Sequence, residues 1–360
     1  MKKSLIALAV AGVVSAPAFA ATSNVDVYGR MSFSVDFADT NEATGDSDDL
    51  VTGRDNVSRI GFKGSEDLGG GLSAIWQIEE ALNANASAFS HRNTFVGLSS
   101  KTMGTVILGR HDTPYKMATG ALDPFADTVG DYNTVIGTTG GTTAAGVTPV
   151  TTIYDNRAGQ TVAYVSPNFT GFSFAAAYVG VKDVETGAEN DTNAYSLMGK
   201  YENGPLFASV AYETFAGGPA ATFGGSTTTT DTDAWKVGVG YKFGNAKLAA
   251  VYESIDDEAA GSAISRDAWY VSGVYTMGNI DLKAAYGLAE DGDSAADTEF
   301  DYWAIGADYN LSKRTKLFAV YATVENAATT TATLSTSGLT AATTGGQDVD
   351  VLSIGITHTF

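Results

Sequence analysis

The sequence predicts an all-β protein, a transmembrane antiparallel β-barrel of sixteen strands. Three observations predict it. Short segments alternate apolar and polar residues with the strand period of two along nearly the whole chain. Tight turns and long polar loops alternate between those segments, which is the asymmetry of an outer-membrane barrel. An export signal opens the chain, and no later run of about 20 apolar residues offers a membrane-spanning helix.

Lys2 and Lys3 make a positive start, and Leu5 to Val14 make an apolar core. Ala18-Phe19-Ala20 supplies the small-x-small cleavage pattern, so residues 1–20 read as a secretory signal peptide and 21–360 as the barrel. The first strand is Val25–Asp39. Val25, Val27, Met31, Phe33, Val35 and Phe37 share one face, and Asp26, Tyr28, Arg30, Ser32, Ser34 and Asp36 share the other. An acidic stretch to Asn56 reads as a loop.

Strand pairs follow at Val57–Gly64 with Leu72–Ala81, Arg92–Ser99 with Thr105–Arg110, and Arg157–Val165 with Gly171–Val181. Next come Asn193–Tyr201 with Leu206–Thr214, Ala234–Lys242 with Lys247–Tyr252, and Ala268–Tyr275 with Asp281–Tyr286. Phe300–Tyr309, Lys316–Val324 and Val349–Phe360 complete the set. Asn203-Gly204-Pro205, Gly244-Asn245 and Gly278-Asn279 supply the backbone angles of tight hairpins. Between hairpins run long loops at 39–56, 182–192, 215–233, 253–264, 287–299 and 325–348.

The faces agree with a bilayer. Trp235, Val237, Val239 and Tyr241 alternate with Lys236, Gly238, Gly240 and Lys242. Aromatics at the ends of the apolar face fit an interfacial girdle. A soluble sheet with one buried face explains any single strand equally well, but not sixteen in series behind an export signal. Segments 105–110 and 316–324 carry apolar residues on both faces, and 193–201 shows little pattern. Pairing the last strand with the first would remove both sheet edges, as a membrane requires.

One connection is different. His111–Asn156 is far longer than the other gaps, with acids at Asp123, Asp127 and Asp131 and a Gly/Thr-rich half at 137–152. Loops longer than about 12–15 residues are usually functional or disordered.

Composition narrows the function. The net charge of −20 argues against general electrostatic binding of nucleic acid. With no cysteine, stability rests on packing and closed hydrogen bonding. Gly (41) is abundant and Pro (7) scarce, with Tyr and Phe at 17 each, which suits strands with aromatic anchors. The histidines are His91, His111 and His358, and no nucleophile motif, metal ligand set or phosphate-binding glycine loop accompanies them. No enzymatic activity, catalytic residue, metal or cofactor is expected. Acid runs such as Asp48-Asp49 and Asp256-Asp257-Glu258 read as solvated faces, with divalent-cation bridging to lipopolysaccharide as the sharper alternative.

Several short motifs in order carry a resemblance. They are Val27-Tyr28-Gly29-Arg30, Ser58-Arg59-Ile60-Gly61-Phe62-Lys63-Gly64 followed by Glu66-Asp67-Leu68, Leu108-Gly109-Arg110, Tyr164-Val165-Ser166-Pro167-Asn168-Phe169, and Phe360. Together they make the chain similar to the Gram-negative general diffusion porins, a trimeric sixteen-stranded family, across nearly all of 21–360.

The resemblance implies that the third extracellular loop, here about 111–156, folds into the lumen as a constriction. It implies that Asp123, Asp127 and Asp131 face basic residues on the opposite wall. The matching bases are Arg59, Arg92 and Arg157, with Arg30 and Lys63 at lumen parity as well. The family's Pro-Glu-Phe-Gly-Gly motif is replaced by Asp123-Pro124-Phe125-Ala126-Asp127. Phe360 resembles the terminal aromatic read by the barrel-assembly machinery. The implied partners are two further copies in a homotrimer, outer-membrane lipid and lipopolysaccharide, and small hydrophilic solutes.

The expected function is passive passage of small hydrophilic solutes and ions across the bacterial outer membrane. The acidic loops favour a mild cation preference. A substrate-selective channel for a sugar or other nutrient is the alternative, for which Tyr115, Tyr132 and Tyr154 would have to line the path. A plugged adhesin or structural barrel is the third.

Overall fold

The structure is a computed structural model that describes residues 24–40, 50–82, 89–138, 154–182, 191–216, 221–223, 226–228, 231–257, 265–290, 298–328, 330, 332–334 and 346–360. Residues 1–20, expected to be an export signal, Asp48-Asp49, Glu258 and most of the Gly/Thr-rich stretch lie outside the described residues.

Sixteen antiparallel strands close on themselves. They are β1 (Asn24–Thr40), β2 (Leu50–Asp55 continued by Arg59–Gly69), β3 (Leu72–Ala81) and β4 (Ser90–His91 continued by Thr94–Ser100). Next are β5 (Gly104–Asp112), β6 (Arg157–Val165), β7 (Phe172–Lys182), β8 (Asp191–Asn203), β9 (Leu206–Phe215) and β10 (Thr232–Phe243). The last are β11 (Ala246–Asp257), β12 (Arg266–Met277), β13 (Ile280–Ala289), β14 (Phe300–Asn310), β15 (Thr315–Asn326) and β16 (Val349–Thr359). β16 pairs with β1 from Arg30↔Thr359 to Thr40↔Val349, and this seam closes the barrel. Phe360 continues the seam by exchanging backbone hydrogen bonds with Gly29 at 3.1 Å each way. A side chain at Gly29 would collide with the Phe360 ring. Closure matters because an unpaired backbone group in hydrocarbon costs several kcal/mol.

Burial is inverted relative to a water-soluble sheet. On β1, Val27 (56% exposed) and Phe37 (45%) lie open while Ser32 (0%) and Asp36 (2%) are buried. On β10, Trp235, Val237, Val239 and Tyr241 are exposed, and Lys236 is fully buried. An apolar outer band with a polar opposite face is what a lipid-embedded barrel presents. Aromatics stand directly opposite one another across four hairpins, as Tyr178↔Tyr195, Tyr212↔Trp235, Tyr252↔Trp269 and Tyr286↔Trp303.

Two loop expectations need correction. Leu50–Asp55, read as acidic loop, is strand paired with β1. Arg54 makes this possible by meeting buried Asp36 at 3.1 Å, so the strand's charge is compensated where it turns inward. Within 215–233, Ala221–Phe223 and Ser226–Thr228 form a small hairpin.

One of the two segments with apolar residues on both faces, 316–324, also has a physical reason. On β15, Leu317 is exposed, whereas Phe318 and Val320 are buried in one cluster with Phe125 from the segment after β5. The second apolar face is a docking surface.

Candidate functional site

The segment after β5 is built from short, capped pieces. α1 (Pro114–Thr119) starts at Thr113, whose side chain accepts from the Lys116 amide, with Pro114 in the first turn. Both features favour a helix start, because the cap satisfies a free N–H and proline lacks one. Single 3₁₀ turns follow at Gly120–Leu122 and Tyr132–Thr134, the second capped by the Asp131 carboxylate on the Asn133 amide.

The apolar residues of this segment fit places where the wall has no side chain. A Cβ at Gly238 would lie 2.7 Å from Leu122, one at Gly287 would lie 2.9 Å from Val135, and one at Gly306 would lie 3.0 Å from Phe125. These glycines share the strand face opposite the exposed apolar one. Leu122, Phe125, Val129, Val135 and Ile136 are all buried against Tyr270, Tyr302, Ala304, Val320 and their neighbours.

Polar tethers complete the docking. The Tyr115 hydroxyl donates to Glu253 at 2.8 Å, and the Gly137 amide donates to the other oxygen of Glu253 at 2.7 Å. Lys236 pairs with Asp155, both side chains fully buried, and the Lys236 ammonium stands 4.1 Å over the Tyr115 ring. Asp155 also accepts from Tyr132 and Asn133. Arg266 donates to the Val135 and Thr138 carbonyls, and Tyr302 to that of Gly130. Ser272 donates to the Leu122 carbonyl at 2.9 Å and Lys283 to that of Pro124 at 3.2 Å.

On its other side the segment is ion-paired to β1 and β2 through Asp127. Asp127 accepts from Arg30 and, at 3.0 Å, from Arg59. Its backbone is left-handed (φ 62), which Asp tolerates better than most residues. Burial opposes its ionisation, but the fields of Arg59, Arg30 and Arg92 outweigh burial and hold the carboxyl below the usual carboxylate range.

The other two loop acids do a different job. Asp123 accepts from the Phe125 amide at 2.8 Å, the Tyr132 amide at 3.1 Å and the Tyr270 hydroxyl at 3.1 Å. Burial, and after it the charge of Asp131, push the Asp123 carboxyl up to about 8. Asp131 accepts from the Asp127 and Asn133 amides, and burial raises it as well. These two carboxyls shape the turn that presents Asp127.

The remaining bases have partners on the strands. Arg92 meets Glu79 at 2.5 Å, and the Tyr28 hydroxyl donates to the second Glu79 oxygen at 2.9 Å. Arg157 pairs with Asp112 at 2.9 Å, and Asn93 bonds both. Lys63 lies 5.3 Å from the centre of the Tyr28 ring. The structure therefore brings Asp127, Arg30 and Arg59 together, with Arg92 and Glu79 beside them. Asp123 and Asp131 instead cap amides of the segment itself, and Asp131 stands near enough to Arg54 of β2 for its charge to act there.

Glu79, Asp155, Lys236, Glu253 and Arg266 were not singled out from sequence. For Lys236 the signal was present, since it sits at polar parity in a strand with exposed aromatics. Tyr115, Tyr132 and Tyr154 are buried against the wall with bonded hydroxyls, at Glu253, Asp155 and Thr232 respectively. They do not form an exposed aromatic path.

Comparison with known proteins follows the geometry. A family profile described as Gram-negative porin matches residues 7–329. Outer membrane porin protein 32 of Delftia acidovorans is 33% identical over 265 residues, covering 70% of this chain and 69% of that protein. The solved anion-selective porin from Comamonas acidovorans superposes with a TM-score of 0.75 at 26% identity, over 94% of this chain and 100% of that one. A trimer form of OmpT from Vibrio cholerae shares the fold, with a TM-score of 0.65 at 19% identity, over 94% of this chain and 99% of that one. The relatives are channels rather than enzymes. With its closed sixteen-strand barrel and its apolar outer band, the chain belongs to the Gram-negative porin family of the outer membrane.

Proposed function

We propose that the chain is a general diffusion channel in which the segment 111–156 enters the bore and sets its width. The observation that carries this reading is the shared carboxylate of Asp127. The segment is seated on the polar-parity face of β8–β15, and Asp127 also reaches Arg30 of β1 and Arg59 of β2. The segment's contacts therefore run round the barrel from β8 through β15 to β2, and a segment that covers so much of the inner face narrows the bore. A barrel of sixteen strands leaves an aqueous channel unless something fills it.

Such a channel lowers no chemical barrier. It offers water where a bare ion or polar solute would otherwise meet hydrocarbon. Asp127 against the guanidinium groups makes a transverse field. Small dipolar solutes align in that field, and large or apolar ones must displace ordered water. Ion preference follows the local charge balance.

An anion-selective channel is the second reading, favoured by three guanidinium groups, Arg30, Arg59 and Arg92, paired with two carboxylates, Asp127 and Glu79, among the described residues. The Comamonas porin's description points the same way. A homotrimer, contacts with lipopolysaccharide, recognition of Phe360 by the assembly machinery, and removal of residues 1–20 on export belong to the same proposal.

The test is the reversal potential across planar bilayers under a salt gradient. Asp127→Asn should move selectivity toward anions, and Arg59→Ala should move it toward cations. Unchanged reversal potentials for both would place the constriction elsewhere.

A further inference from the structure

The inward face of the barrel is not polar all the way round. In the half nearest the tight turns, β10–β15 present Lys242, Lys247, Lys283, Asp308 and Lys316 inward. On β3–β7 the corresponding positions are apolar. Ile75 stands across from Gly97, Gly97 from Ile107, Ile107 from Ala163 and Ala163 from Ala177. One level away, Phe95 stands across from Gln77 of β3 and Gly109 of β5. Residues directly opposite on antiparallel strands share a face, and Gln77 is two residues from inward Glu79, so the whole patch faces the bore. Gly97 lets the row close up, because a Cβ there would lie 2.9 Å from the Ile107 side chain.

Ile107, Ala163 and Ala177 are buried in one cluster, and Ile75 and Phe95 pack on it half-buried. Among the described residues, none from 113–138 belongs to that cluster, whereas the segment fills the other two. An uncovered apolar patch beside water is a mark of a ligand-binding groove. The charge next to it is equally specific. Lys63 of β2 stands across from Gln77, two strands and so roughly 10 Å from Phe95. Lys63 is exposed, and its ammonium lies 5.3 Å from the centre of the Tyr28 ring with no ion-pair partner among the described residues. Asp26, across from it on β1, accepts from Asn24 at 3.3 Å instead. Arg92 and Arg157 on the same arc are each matched by a carboxylate, Glu79 and Asp112.

We propose that this arc of the bore is a binding subsite for small amphipathic anions, carboxylates that carry an aromatic or branched apolar body. The carboxylate meets Lys63, and the body lies past Gln77 on Phe95, Ile75 and Ile107. The proposal deepens the channel reading above and rests on it, since a solute reaches the patch only through water in the bore. Lys63 repels an apolar cation. A sugar would leave hydroxyls unpaired against Phe95 and Ile75, which costs more than the contact returns. A small inorganic anion meets Lys63 but gains nothing from the patch. An amphipathic anion uses both, and one exposed charge with one partly covered apolar face binds weakly enough to release its solute.

The measurement is block of the potassium chloride current through single channels in planar bilayers, titrated with 3-phenylpropionate. Propionate removes the ring from this probe, and phenethylammonium reverses its charge. Wild type should be blocked by 3-phenylpropionate at concentrations roughly 10-fold or more below those of either control. Phe95→Thr keeps a good strand former and should raise the half-blocking concentration of 3-phenylpropionate roughly 10-fold, with propionate block unchanged. Lys63→Gln should raise it roughly 3- to 5-fold, as loss of an exposed charge does, and Lys63→Arg should keep it near wild type. Channels of either variant that still conduct potassium chloride show that the barrel has folded, and each variant tests the subsite without the other. Propionate or phenethylammonium blocking as well as 3-phenylpropionate overturns the proposal, as does a Phe95→Thr or Lys63→Gln channel with wild-type block. A wild type that conducts and is not blocked overturns the subsite and leaves the channel reading standing. A wild type that passes no current overturns the channel reading itself.

Discussion

Two arcs of the same barrel use the inward strand position differently. On β10–β15 that position carries glycines at 238, 240, 287 and 306, buried tyrosines at 270 and 302, and the apolar Phe318 and Val320. On β1–β6 it carries Tyr28, Arg30, Arg59, Glu79, Arg92 and Arg157, most of them paired. The first arc has sockets and gives up its surface to the segment after β5. The second keeps its charges and is ion-paired to that segment through Asp127. The first arc carries charges too, Lys236, Glu253, Arg266 and Lys283, but they are buried as tethers for the segment. An identical period of two therefore encodes sockets with buried tethers on one side and a cluster of charges on the other, depending on residue size and charge.

The comparison breaks most readily at the buried pair beneath the segment. Lys236→Met leaves Asp155 as an uncompensated charge among fully buried groups. Breaking such a pair from one side costs about 3–5 kcal/mol. The expected outcome is release of the segment from the first arc, read as faster proteolysis within 113–138 and a larger single-channel conductance. Lys236→Met/Asp155→Leu should restore much of the protection, because it removes both charges.

A smaller effect is expected at the sockets. Gly238→Leu must displace Leu122 and Thr119, whose atoms would lie 2.7 and 2.8 Å from the new Cβ alone. Overpacking of this kind costs about 1–3 kcal/mol. Gly199→Ala, where the nearest atom is 3.7 Å away, should leave proteolysis of the segment unchanged.

The mildest perturbation is pH. The Asp123 carboxyl has an ordinary value of 3.8 and is pushed up to about 8 in the docked segment. A carboxyl raised on docking binds its proton more tightly when docked. Docking is therefore strongest below 3.8, loses strength as pH rises toward about 8, and is constant above that. Flicker noise in the single-channel current should grow across that window. Asp123→Asn should weaken the dependence, leaving the part that Asp131, also raised by burial, contributes.

Much of this architecture was legible in the sequence. The alternation of Trp235 to Tyr241 against Lys236 to Lys242 identified the outward face, and the gap from His111 to Asn156 identified the unusual connection. The docking surface was visible as a disturbance, since 316–324 had apolar residues on both faces. Which acid would meet the arginines was not legible. Asp123, Asp127 and Asp131 are equivalent by composition, and only the left-handed backbone at Asp127 and the caps made by the other two tell them apart. Long-range pairs such as Asp155 with Lys236 left no local pattern, because their spacing is set by closure of the barrel.

The central claim is that Asp127 stands in the water path. The chain contains no cysteine, so Asp127→Cys gives a protein with a single reactive thiol. Conductance through Asp127→Cys channels would be recorded while a bulky, charged methanethiosulfonate reagent is added from the aqueous side. The account predicts a stepwise, reductant-reversible fall in current, absent from wild type. A thiol that is shown to be labelled while the current stays constant would contradict it.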